Sequence, residues 1–292
     1  MRLFFHRHLV LIAALAIFGL AFFTRTGALK QYVVPDEPSW VWRSLSFSQA
    51  LAQGQWAGTA QIGHPGVTTM WLGSLGILVK RAADPVASSE AIQWLGRLTN
   101  LAPENAEAFK RLGVFLTYAR IPVIVINALG VVLIFLLMRR LFGLKVGLIA
   151  GLLFALDPFT AGLSGLLHVD GLLTTFSVLS VLAMLNGLTP QPPLRRWKNT
   201  SPKRGSDMRP SPKNKKRFLE EGLGVRSWFA LAGAFAGLAF LSKSPGIFLT
   251  AFAAFVLVVA VITQFLSFKR ALLAFLSFVI VHWTLFILIP KK

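Results

Sequence analysis

The chain has 292 residues, 55% of them hydrophobic, with a mean hydropathy of +0.65, 25 Phe and 8 Trp. That composition excludes a soluble domain of this length and leaves an all-α, polytopic membrane helical bundle. The net charge of +19 does not indicate nucleic-acid binding, because it is concentrated in one stretch, and the absence of cysteine excludes disulfides and thiolate metal sites.

Apolar runs occur along the whole chain, and several approach or exceed the roughly 20 residues that cross a bilayer core. The run 67–79, only 13 residues long, is short for a crossing. The runs occupy residues 9–23, 67–79, 114–138, 146–166, 171–188, 228–242, 247–266 and 271–289. The first follows Arg2, His6 and Arg7, which keep the N-terminus on the cytoplasmic side. No A-x-A-like site follows Phe23, so this run reads as a retained anchor rather than a signal peptide. Residues 24–113 read as the first extracytoplasmic loop, carrying juxtamembrane helices. Pro38 opens a helix over 38–53 that bears Trp40, Leu45 and Leu51, and Gly54 closes it. Pro65 opens a second helix over 66–79, and 80–112 reads as a solvated loop containing a short helix. Residues 190–227 hold eleven basic residues against three acids, together with six prolines, and read as a disordered cytoplasmic loop in contact with anionic lipid.

The run 67–79 decides the topology. If it crossed the bilayer, Arg139, Arg140 and Lys145 would face outside, and so would the 190–227 loop. Both placements violate the positive-inside bias. If it lies along the interface, both clusters fall inside together with Lys269-Arg270, leaving about seven spans in one membrane-embedded module over 1–292. Asp36, Glu37, His64, Asp157, His168, Asp170 and Lys243 then share the outer face. Ionisable residues beside hydrocarbon are costly and are functional candidates by default.

Asp36-Glu37 stands at a helix start, where a carboxylate either caps the helix or stays ionised and acts as a general base. Asp157-Pro158 and His168-Val169-Asp170-Gly171 read either as helix caps with a hydrogen-bonded histidine or as part of a site. Lys243, in a turn between apolar helices, either snorkels or binds a lipid phosphate, as His64 does in the second case. Arg120, followed by Pro122, pairs with an acidic residue in the bundle. Trp71, Trp228 and Trp283 read as interface anchors. Asp36, Glu37, His64, Asp157, His168 and Asp170 offer hard ligands without recognisable metal spacing; no metal is assigned, and a divalent cation stays open. No nucleotide loop, Ser-His-Asp order or zinc spacing occurs.

The order of these motifs resembles polyprenyl-phosphate-sugar-dependent glycosyltransferases of the GT-C fold, most nearly the protein O-mannosyltransferase and aminoarabinose transferase group. Asp36-Glu37 is similar to the family's Asp-Glu pair in the first outer loop. His64-Pro65-Gly66 is similar to its His-Pro-Pro or Lys-Pro-Pro element, with Gly66 where proline is usual. Arg120, Asp157-Pro158, Asp170 and the Gly237-to-Lys243 turn follow in the family's order. The resemblance implies a seven-span catalytic module in a prokaryotic plasma membrane, with its active site outside. It would transfer a sugar such as mannose from a polyprenyl-phosphate donor to a protein, lipid or glycan acceptor. Asp36 would be the base, supported by Glu37; Asp157 and Asp170 would shape the site or bind sugar; His64 and Lys243 would hold the departing phosphate. Family members are generally longer, so the chain reads as a fragment ending at Lys292. The rival readings are a multi-pass transporter or lipid flippase, which would carry polar residues or broken helices at mid-membrane depth, and a non-catalytic scaffold.

Overall fold

The computed structural model describes residues 2–27, 29–32, 34–61, 65–189 and 212–287. The helices are α1 (Arg2–Arg25), α2 (Glu37–Ala52), α3 (Val67–Ala83), α4 (Pro85–Leu95), α5 (Ala106–Phe142) and α6 (Leu144–Leu156). They continue with α7 (Pro158–Ser164), α8 (Val169–Leu188), α9 (Pro212–Ser242), α10 (Phe248–Ile262) and α11 (Phe268–Ile287), and short 3-10 turns stand at Trp56–Thr59 and Ser244–Ile247. No strand occurs among the described residues. Six helical stretches are long and apolar enough to cross a bilayer, in α1, α5, α8, α9, the 3-10 turn with α10, and α11; α6 with α7 makes a seventh, bent by 62°. The chain is therefore an all-α polytopic integral membrane protein. α3, 17 residues long, is not among these stretches.

The helix expected over 38–53 is α2, with Pro38 in its first turn and Gly54 just beyond its end at φ +67°. Three other expectations change. Residues 114–138 form only the middle of α5, which starts at Ala106, where the Asn105 side chain accepts from the Ala108 N–H at 3.1 Å. At about 55 Å this helix projects past a core of ~30 Å. The run 146–166 is not one helix: Asp157 leaves helical geometry, and Pro158, without an N–H to continue α6, starts α7. The disorder expected over 190–227 does not hold from Pro212 onward, where α9 begins; residues 190–211 lie outside the described ones. Pro212 suits a first helical turn, and the Lys-, Arg-, Glu- and Leu-rich residues after it favour helix.

α5 packs with α1, α3, α6 and α8, while α9 lies against α8 and α11. The buried core includes Ile77, Leu112, Phe115, Leu172, Phe229 and Phe278. α3 reaches α5 because Gly76 faces the Tyr118 carbonyl, where any Cβ would overlap backbone. Asn127 ties α5 to its neighbours across the bundle. The Asn127 amide donates to the Val123 and Ser164 carbonyls, both at 3.1 Å, and accepts from the Thr175 hydroxyl at 2.6 Å. These contacts fix the α7–α8 turn against α5 and bring it beside the start of α2.

Candidate functional site

Asp36 and Glu37 are adjacent but meet opposite environments. Asp36 precedes the first turn of α2, makes no side-chain cap, and is 73% exposed, so the capping reading does not hold for it. Glu37 is fully buried against the equally buried Arg120. Arg120 Nε donates to Glu37 Oε1 at 2.6 Å, Nη2 donates to Glu37 Oε2, and the Leu167 N–H donates to Oε1 at 3.0 Å. Arg120 Nη2 also donates to the Gln31 carbonyl at 2.6 Å. One bidentate ion pair thus ties together α2, α5, the loop before α2 and the α7–α8 turn. The pairing expected of Arg120 within the bundle is this one.

The turn held by Glu37 presents His168. Its backbone is extended at the start of α8, and its Nδ1 accepts from the Asp170 N–H at 3.4 Å, so His168 rather than Asp170 caps this helix. Nε2 lies 3.6 Å from Asp36 Oδ2, and Nδ1 lies 3.3 Å from Asp170 Oδ2. Asp170 Oδ1 accepts from Lys243 Nζ at 2.6 Å. Asp36, His168, Asp170 and Lys243 thus form a line of alternating charge and imidazole across α2, α8 and the turn before α10. The imidazole rests edge-on against buried Trp40, with ring centroids 6.4 Å apart.

The Lys243 turn is fastened to the start of α3. The Gly66 N–H donates to the Leu241 carbonyl at 2.8 Å, and the Thr68 and Ser242 hydroxyls meet at 2.7 Å. Gly66 has φ +119°, and a Cβ there would overlap the Trp40 ring. Proline, with φ near −65° and no N–H, meets neither demand, which explains glycine at this position. His64 lies outside the described residues.

The charges of Glu37 and Asp170 are balanced by Arg120 and Lys243, so Asp36 faces only His168 and Arg43 among the groups described. Arg43 sits 4.7 Å over the Trp40 ring; burial lowers its pKa, and Asp36 opposes that shift. Burial pushes the Tyr32 hydroxyl pKa up, Glu37 adds to the shift, and Arg120 opposes it.

Asp157 does not join this line. It caps α7, accepting from the Thr160 N–H at 2.6 Å, and borders an apolar cavity of about 590 Å³ lined by Ile149, Leu152, Leu153 and Phe154. The sequence reading missed Arg25, which is buried at the end of α1. It donates to Ser164 Oγ at 2.7 Å, the Ala21 carbonyl at 2.9 Å and the Phe154 carbonyl at 3.2 Å, bracing the break between α6 and α7. Its signal was a lone cation ending an apolar run. The reading also missed Trp40 as the floor shared by His168, Arg43 and Gly66. Among the described residues no group of three His, Asp or Glu is disposed to hold a metal ion.

A family model described as dolichyl-phosphate-mannose-protein mannosyltransferase matches residues 106–199. That stretch contains Arg120, Asp157, His168 and Asp170, whereas Asp36 and Lys243 lie beyond it. The match supports a likeness to membrane glycosyltransferases of the mannosyltransferase type. Comparison with curated proteins and with solved structures gave no match.

Proposed function

We propose that the chain is a GT-C-type glycosyltransferase that moves mannose or a similar sugar from a polyprenyl-phosphate carrier to a protein, lipid or glycan acceptor on the extracytoplasmic face. The observation that carries this reading is the meeting of Asp36, His168, Asp170 and Lys243 at helix ends, beside a stretch similar to mannosyltransferases. Asp36 takes the proton of the acceptor hydroxyl as its oxygen attacks the anomeric carbon. The bond from that carbon to the carrier phosphate breaks, its electron pair stays on the phosphate, and the configuration inverts. Lys243, joined by His64, stabilises the charge that grows on the phosphate. Glu37, held by Arg120, supports Asp36 by fixing the start of α2. Asp170 shapes the site, and Asp157 enters as the cap of α7.

The transporter reading draws on one observation, the 62° bend between α6 and α7. The break follows the 13 residues of α6, about 20 Å into a core of ~30 Å and so nearer the middle than either end, as a transporter would show. Asp36, His168, Asp170 and Lys243, by contrast, stand at helix ends. Membranes bearing the chain, given radiolabelled polyprenyl-phosphate mannose, separate the two. Glycosyl transfer moves label from the donor to an acceptor, and Asp36→Asn lowers the rate at least ~100-fold. Full activity in Asp36→Asn removes the base assignment, and donor crossing without transfer favours the transporter.

A further inference from the structure

We infer that His168 is a positioning residue for Asp36: its Nε2–H holds one carboxylate oxygen and leaves the other turned toward the acceptor hydroxyl. The inference rests on the glycosyl-transfer reading and assigns His168 a task other than touching sugar or phosphate.

Three observations carry it. First, which imidazole nitrogen bears the proton is set by the partner of the other nitrogen. Nδ1 accepts from the Asp170 backbone N–H at 3.4 Å, so the proton of the neutral ring sits on Nε2. Second, Nε2 is the ring nitrogen nearer Asp36, 3.6 Å from Oδ2 and just beyond hydrogen-bond reach. Hydrogen bonds of this kind are often long without substrate and tighten when it binds. Third, Asp36 is 73% exposed, whereas the His168 side chain is 15% exposed and rests against Trp40. The carboxylate has no packing to orient it; the imidazole has.

One neighbour opposes this tautomer: Asp170 Oδ2 lies 3.3 Å from Nδ1, where a carboxylate favours a proton, and the Lys243 ammonium, 2.6 Å from the same carboxylate, weakens that pull. Arg43, on α2, feels the charge of Asp36, and Glu37 is paired with Arg120. The line from Lys243 through Asp170 and His168 to Asp36 therefore connects the cation proposed for the phosphate with the carboxylate proposed for the hydroxyl. Moving one end disturbs the orientation of the other.

The test uses the full chain in detergent micelles. With histidine labelled in ¹⁵N, the spectrum that disappears in His168→Leu is expected to show a protonated Nε2 and a bare Nδ1, and its Nε2 signal should shift in Asp36→Ala. A proton on Nδ1 overturns the inference whatever the enzyme does. With synthetic polyprenyl-phosphate mannose as donor, His168→Leu is expected to lower kcat on the order of 10-fold with donor KM within about twofold. His168→Gln, whose amide N–H reaches the same place, should recover most of that loss. In an Asp36→Asn background, His168→Leu should add nothing. A full additional loss there, or a glutamine variant as impaired as leucine, overturns the positioning role while leaving the glycosyl-transfer reading intact. A wild-type chain that transfers no sugar overturns both.

Discussion

Replacing Glu37 with glutamine isolates the buried ion pair. The substitution keeps volume and leaves a carbonyl for the Leu167 N–H, but it removes the charge opposite Arg120. Both side chains are fully buried, and Glu37 accepts hydrogen bonds from the Arg120 guanidinium and from the Leu167 N–H. The amide NH₂ then confronts another donor, and the cation stays buried without the carboxylate charge opposite it, although Nη2 still donates to the Gln31 carbonyl. Breaking such a pair from one side costs about 3–5 kcal/mol. For a chain of this size that is on the order of 10 °C in the unfolding midpoint. The assay is thermal unfolding in detergent, followed by tryptophan fluorescence, for wild type, Glu37→Gln, and a double variant carrying Glu37→Leu with Arg120→Met. The double variant removes both charges and is expected to lose less than the single one. A Glu37→Gln midpoint within about 2 °C of wild type, or a double variant at least as unstable as Glu37→Gln, would refute the reasoning.

Gly66→Ala places a Cβ in the Trp40 ring at φ +119° and is expected to cost at least ~2 kcal/mol, read from the same melts; an unchanged midpoint contradicts it. Asp157→Ala removes the α7 cap and should cost about 1 kcal/mol, with Asp157→Asn recovering most of it. His282 is 1% exposed in α11, stacks on Phe278 at 5.8 Å, and has no hydrogen-bond partner at either nitrogen among the described residues. His282→Phe is therefore expected to raise stability by about 1 kcal/mol; a drop of that size would show that the imidazole has a partner.

Sequence pattern revealed the helices through their apolar runs and revealed Arg120 because a cation inside an apolar run demands a counter-charge. It could not divide labour within Asp36-Glu37. Successive helical residues point about 100° apart, so one meets solvent and the other the core, and only tertiary packing decides which. Asp157 and His168 looked like neighbours across one turn. The break at Pro158 inserts α7 between them and sends Asp157 to another surface. The bond from Gly66 to Leu241 joins segments 175 positions apart, a contact no local pattern encodes. Arg25 was not legible because its partners are backbone carbonyls and Ser164, which carry no distinctive sequence mark.

Asp36, His168, Asp170 and Lys243 are proposed to face one compartment, opposite the basic helix ends at Lys145 and Lys269. The chain has no cysteine, so single cysteines can be labelled without background. Val34→Cys and Ser244→Cys are expected to react with a membrane-impermeant maleimide in intact cells, and Lys145→Cys and Lys269→Cys only after permeabilisation. Labelling of positions 34 and 244 from opposite sides would contradict the account.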